Sequence, residues 1–304
     1  MNAAVEDMSE MSRVLHEEPM RKHTSWRVGG PAEQYFKPTS IGELQSFLAR
    51  LPADVPIHWV GLGSNLLVRD AGVRGAVIAT SGLPKTLERI DDERVKAGAG
   101  LTCMRLARQC ARWQLGPAAF FAGIPGTVGG ALAMNAGAFG GETWTDLESV
   151  DTIDRHGVIH TRLREEFEIA YRSVRGRPEE WFIAAVFRFA PDTMTTLTTL
   201  KGMLAKRGET QPLGVPSCGS VFRNPPGEYA GQLIERAGLK GSRIGGAQIS
   251  EKHANFIVNT GNATAADIEA LIERARSVVE HELGVRLELE VRVIGDARSN
   301  GGPP

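Results

Sequence analysis

The 304-residue chain is sparing in cysteine and in tyrosine, with three of each, and it lacks any long apolar run. Its most apolar stretches, residues 181–186 and 117–121, fall far short of the roughly 20 residues that a membrane-spanning helix requires, so no membrane partner is expected. Cys103, Cys110 and Cys218 have neither paired metal-ligand spacing nor the even count of a secreted disulfide framework, and reduced thiols follow. Excess charge is missing too. The 35 Lys and Arg against 36 Asp and Glu give a net charge of −1, which creates no field for nucleic acid or an anionic surface. The first twenty residues carry Glu6, Asp7, Glu10, Glu17 and Glu18 instead of the basic start and apolar centre of a secretory signal, so a loose N-terminal extension (1–20) on a cytoplasmic protein is expected. No metal site is expected: the only His-x-x-x-His spacing, His156 and His160, spans a hairpin turn and lacks the glutamate of a zinc-protease helix.

What the chain has in abundance is glycine, 35 residues, clustered in a few places. Glycine at such density serves positive backbone angles and close approach of main chain to a ligand. Strand patterns at 32–37, 57–60, 66–68, 73–79 and 94–97 and helices at 41–51 and 102–114 make the first half strand-rich. The nearly uncharged Gly/Ala stretch 122–141 reads as a buried loop. A hairpin at 147–163, a strand at 181–189 and a helix at 194–207 follow, and the Pro/Gly-rich segment 211–216 suggests a boundary. Beyond it lie a helix at 228–237, short strands at 247–250 and 255–258, a long helix capped by Thr264, and an alternating strand at 285–293. The fold class is α+β, with a tail at 297–304 rich in breakers.

Gly61, Leu62, Gly63, Ser64 and Asn65 form one glycine loop, and Gly123, Ile124, Pro125, Gly126, Thr127, Gly129 and Gly130 belong to another. Both present main-chain N–H groups suited to a pyrophosphate, although neither is a P-loop or a Rossmann fingerprint, and glycine turns also serve structure alone. Ser220, Arg223 and Asn224 place a hydroxyl, a guanidinium and an amide together. Ser220 lacks a hydrolase nucleophile's surroundings, which leaves a proton-donating or substrate-binding serine or a turn serine bonding its own backbone. On pattern alone Arg172 reads as a solvated arginine, and Glu290 shares a polar strand face with Glu288.

The ordered segments Thr24–Gly30, Gly61–Val68, Ala122–Gly130, Met134–Ala138, Tyr171–Arg172, Gly219–Pro225 and Ser250–Phe256 resemble the MurB family of UDP-N-acetylenolpyruvoylglucosamine reductases, over about residues 20 to 295. The resemblance implies a FAD-binding region of the vanillyl-alcohol-oxidase (PCMH) type at 21–204, in subdomains of about 21–85 and 86–204, and a smaller α+β substrate-binding domain at 205–296. It implies non-covalent FAD on the two glycine loops, with Asn135 and Ala136 close by, NADPH as reductant and a UDP-linked enolpyruvyl sugar as substrate. It assigns catalytic roles to Arg172, Ser220 and Glu290 and substrate contacts to Arg223 and Asn224. The segment 173–178 lacks the tyrosine loop of one branch of the family, which points to the shorter branch. No oligomeric state is implied; a monomer is compatible. A flavin oxidase and a non-catalytic nucleotide-binding module are the competing expectations.

Overall fold

The computed structural model describes residues 14–296; the expectations for 1–13 and for the tail lie outside the described residues. Residues 14–20, expected in the loose extension, instead form a strand, β1 (Val14–Pro19), and the start of a 3₁₀ turn (Met20–Lys22), with Met20 fully buried. The chain divides into two compact units. The first is built mainly from Tyr35–Leu62 and Val77–Arg207, the second from His16–Gln34, Gly63–Ala76 and the segment from Gly208 onward. A four-stranded sheet has the order β1, β2 (Pro31–Phe36), β5 (Val73–Ala79), β3 (Ile57–Val60), where β4 (Leu66–Val68) lies elsewhere.

In the first unit a five-stranded antiparallel sheet runs β9 (Ile159–Leu163), β8 (Leu147–Asp154), β10 (Glu180–Arg188), β7 (Arg94–Gly98), β6 (Leu87–Arg89). The inward residues Val95, Ala97, Val150, Ala185 and Phe187 pack with Leu106 and Cys110 of helix α2 (Cys103–Trp113) and Leu132 of α3 (Val128–Met134) into one core. Helix α1 (Ile41–Arg50), capped by Ser40, buries Leu44 and Leu48 with Ile78, Ile153 and Ile183 in a smaller cluster. The stretch 122–141 is not a plain loop, since it contains α3, whose first turn is capped by the Thr127 hydroxyl accepting from Gly130 N–H at 3.3 Å. Gly129 tolerates no side chain: a Cβ there would lie 2.8 Å from that of Ala99. Helix α4 (Leu197–Thr210) ends this unit.

The second unit packs α5 (Ala230–Arg236) and α6 (Ala265–Leu283) with a three-stranded antiparallel sheet, β11 (Arg243–Ile244), β12 (Ala247–Ile249), β13 (Ile257–Asn259). Thr264 and Asp267 form a reciprocal capping box on α6, and the Asp70 carboxylate accepts from the N–H groups of Ala265 and Ala266 at 3.0 and 2.9 Å, where negative charge complements the helix dipole. Residues 16–20, expected in the extension, and 21–34 and 63–76, expected in the first domain, cluster here for a physical reason. Trp26 is fully buried with its indole N–H on the Ile257 carbonyl at 2.7 Å, and β4 pairs in parallel with β14 (Arg292–Ile294), Leu66 opposite Arg292. The expected strand at 285–293 is shorter: Leu287 and Val291 are buried, but regular strand is confined to β14 and one bridge from Leu289 to Phe222.

Candidate functional site

The serine loop of the second unit is fixed on both sides of Ser220. Before it, the buried Cys218 thiol points at the carbonyls of Gly63 and Leu66 at 3.5 and 3.4 Å, and burial pushes that thiol up to about 12, so it is a neutral anchor. Gly219 follows in the left-handed region, φ 73, which only glycine adopts without strain. After Ser220, Val221 and Phe222 are buried, and a short ladder joins this segment to the one bearing Glu290. Arg223 N–H donates to the Glu288 carbonyl at 2.9 Å, Glu290 N–H donates to the Val221 carbonyl at 2.8 Å, and Phe222 bridges Leu289.

This register puts Glu290 beside the residue that follows Ser220. It also separates the two glutamates that the alternation pattern left equivalent: Glu288 is exposed and near Arg223, whereas Glu290 is half-buried. Asn65, expected on the cofactor, has its side-chain amide donating to the Glu290 carbonyl at 2.9 Å, and its own carbonyl accepts from Arg292 N–H. The Asn224 side-chain oxygen accepts from Ala230 N–H at 3.1 Å at the start of α5. Asn255, inside the segment Ser250–Phe256, holds the main chain of Phe222 through its side-chain amide, a partner 33 residues away that no sequence spacing signals.

Arg172 belongs to the first unit. Strands Glu168–Ala170 and Ser173–Arg175 pair as a hairpin whose two-residue loop is Tyr171 and Arg172, with Arg172 at φ 54. Its guanidinium folds back to donate to the carbonyls of Asn135 and Gly137 at 3.2 and 3.0 Å, and it lies 4.9 Å from the centre of the Tyr171 ring. It is not the freely solvated arginine of the residue pattern, since only 15% of its side chain is exposed. Asn135, also expected near the cofactor, is buried and internally committed: its amide donates to Glu142 at 2.9 Å and Ala170 at 3.3 Å, and its oxygen accepts from Trp144 N–H. Ala136 is likewise enclosed, its carbonyl accepting from Thr143.

The glycine loops differ in what they leave available. In the second loop the N–H groups of Val128, Gly129 and Gly130 are taken by Leu101, Ala99 and Thr127, but those of Gly126 and Thr127 meet no protein acceptor among the described residues. In the first loop the same holds for Leu62, Gly63 and Ser64. Gly61 approaches Thr127 so closely that a Cβ would sit 2.7 Å from its hydroxyl, and a Cβ on Gly63 would meet the His23 carbonyl. Unspent N–H groups beside bare backbone fit a pyrophosphate. Ile124 is buried and Pro125 exposed between them. One cation escaped the sequence reading: Arg207, on α4, donates to the Gly123 carbonyl at 2.5 Å, and burial holds its guanidinium below the usual range. No periodicity signals such a contact.

Two family models match the chain: a FAD binding domain over residues 32–162 and the C-terminal domain of UDP-N-acetylenolpyruvoylglucosamine reductase over residues 211–294. A UDP-N-acetylenolpyruvoylglucosamine reductase from Alkalilimnicola ehrlichii is 55% identical over 97% of this chain and 99% of that protein. Its counterpart from Legionella pneumophila strain Paris is 52% identical, over 93% and 94%. Among solved structures, the crystal structure of UDP-N-acetylenolpyruvylglucosamine reductase (MurB) from Thermus caldophilus superposes with a TM-score of 0.79 at 35% identity, covering 93% of this chain and 99% of that one.

Proposed function

Since this chain belongs to the UDP-N-acetylenolpyruvoylglucosamine reductase family, FAD-dependent oxidoreductases of peptidoglycan synthesis, we propose that it reduces a UDP-linked enolpyruvyl ether with NADPH as reductant. The observation that carries the catalytic half of this reading is the ladder that fixes Ser220 next to the Glu290 segment. The two loops that leave N–H groups unspent, Leu62 to Ser64 and Gly126 to Thr127, are the positions that would hold the FAD pyrophosphate. When bound, FAD would supply the hydride chemistry that links NADPH oxidation to reduction of the vinyl ether.

The chain's own residues manage the charge and the proton. Hydride arrival leaves negative charge on the neighbouring carbon and on its carboxylate, and a fixed cation stabilises such charge best where water is excluded. Arg172, oriented by the carbonyls of Asn135 and Gly137, is suited to that task. Glu290 serves it as a neutral hydrogen-bond donor or as a carboxylate paired with a cation. Ser220 gives its hydroxyl proton to the charged carbon; a hydroxyl is a weak acid, so this step suits a strongly basic carbon centre. Arg223 and Asn224 contact substrate on the same loop.

The test is an anaerobic titration of the purified protein followed by absorbance. Flavin bands that bleach with NADPH and return on adding the UDP-linked enolpyruvyl substrate are the expected result. Bands that return only with oxygen would make the protein an oxidase, and a protein that takes up no flavin would overturn the reading entirely. Ser220→Ala is expected to leave reduction by NADPH within twofold while slowing reoxidation by substrate at least about 100-fold, the range in which general-acid groups contribute.

A further inference from the structure

Asn255 is 3% exposed, and both ends of its side-chain amide are spent on one residue. Its oxygen accepts from Phe222 N–H at 2.9 Å and its nitrogen donates to the Phe222 carbonyl at 2.8 Å, while its own carbonyl accepts from Val221 N–H at 2.9 Å. A side-chain amide thereby takes the place of a neighbouring strand along the residues just after Ser220. With Glu290 N–H on the Val221 carbonyl, both main-chain polar groups of Val221 and Phe222 are occupied. Asn255 is itself fixed, because the turn that carries it is closed by Ser250 N–H on the Phe256 carbonyl at 2.8 Å and by Phe256 N–H on the His253 carbonyl at 3.0 Å.

We infer that Asn255 is a positioning residue for the proton-transfer step: by clamping both main-chain groups of Phe222 it fixes the direction in which Ser220 presents its hydroxyl. The inference rests on the reading of Ser220 as proton donor. Only an amide offers one donor and one acceptor at this spacing, so an isosteric carboxylate keeps the bond to Phe222 N–H and sets an oxygen against the Phe222 carbonyl. Displacing a reacting group by about 1 Å is enough to cost about 100-fold in rate.

The experiment is anaerobic stopped-flow on the FAD-loaded full chain, with the half-reactions measured separately in Asn255→Asp, Ser220→Ala and the double variant. Asn255→Thr, whose single short hydroxyl cannot reach both main-chain groups of Phe222, replaces Asn255→Asp if the latter does not fold. The expected result is reduction by NADPH within twofold of the parent, reoxidation by substrate slowed about 100-fold, and no more than a twofold further loss when the Asn255 change is added to Ser220→Ala. Protection of the Phe222 amide from hydrogen exchange is expected to fall in Asn255→Thr, which withdraws its acceptor, and to be unchanged in Ser220→Ala. Equal slowing of both half-reactions, or full additivity with Ser220→Ala, would show a general structural role and overturn the inference. If Ser220→Ala reoxidises at the parent rate, the reading of Ser220 fails and the inference with it; if Ser220→Ala is slow and both Asn255 variants are fast, the inference alone fails.

Discussion

Asn135 sits in the left-handed region at φ 45, which asparagine tolerates better than most residues, and every polar atom of its side chain is used. Replacing it with alanine strands the buried Trp144 N–H and loosens the Ala170 end of the hairpin that presents Arg172. We expect Asn135→Ala to cost about 2–3 kcal/mol in urea unfolding, the penalty of leaving buried groups unpaired, and to weaken substrate turnover through Arg172. The thiols make a contrasting case. Burial pushes Cys110 and Cys218 up to about 12 and Cys103 higher still, so at pH 8 almost no thiolate exists in the native chain. Native protein is expected to show no labelling by iodoacetamide over an hour and three labelled sites after unfolding; rapid native labelling at Cys218 would refute its role as a buried anchor.

Helices were legible wherever polar caps and apolar spacing agree. Ser40, Thr102 and Thr264 each accept from the third residue of the helix they begin; the sequence marks Ser40 and Thr264 as caps and sets Thr102 at the start of the helix itself. Thr264→Ala is expected to lower stability by about 1 kcal/mol, read as a shift of the urea midpoint without a change of slope. Helix α3 was hidden because Gly129 and Gly130 have low helix propensity; Gly129 is present for close packing against Ala99, a demand that sequence spacing does not express. At 285–293 alternation correctly set Leu287 and Val291 inward, but the ladder partner is a three-residue segment near Ser220, so regular strand is short. The candidate site was legible as chemistry, in Ser220, Glu290 and the glycine loops, and not as wiring: that Asn65 and Asn135 hold protein carbonyls is a fact of tertiary contact.

On the scale of the molecule, the chain passes between its two units five times, after residues 15, 34, 62, 76 and 207. Sequence order suggested a single cut near residue 205, and linear pattern has no means of showing that Trp26 and Leu67 complete a core made largely from the last third. A fragment of residues 205–296 lacks Trp26, Val28 and the β4 partner of β14, and the cavity left by a missing tryptophan is among the costliest core losses. We expect that fragment to show no cooperative thermal transition by circular dichroism, and a fragment that melts cooperatively would contradict the division.

The bond from Trp26 to the Ile257 carbonyl joins residues 231 apart. At about 5–20 residues per second, a ribosome needs about ten to fifty seconds to deliver the second partner after the first has emerged. For that interval Trp26, Val28 and Leu67 have no core of their own to enter. This enzyme therefore asks more of the cell's chaperones while it is being made than its final burial would suggest, and a ribosome stalled before residue 257 is expected to hold a chain whose second unit is open to protease.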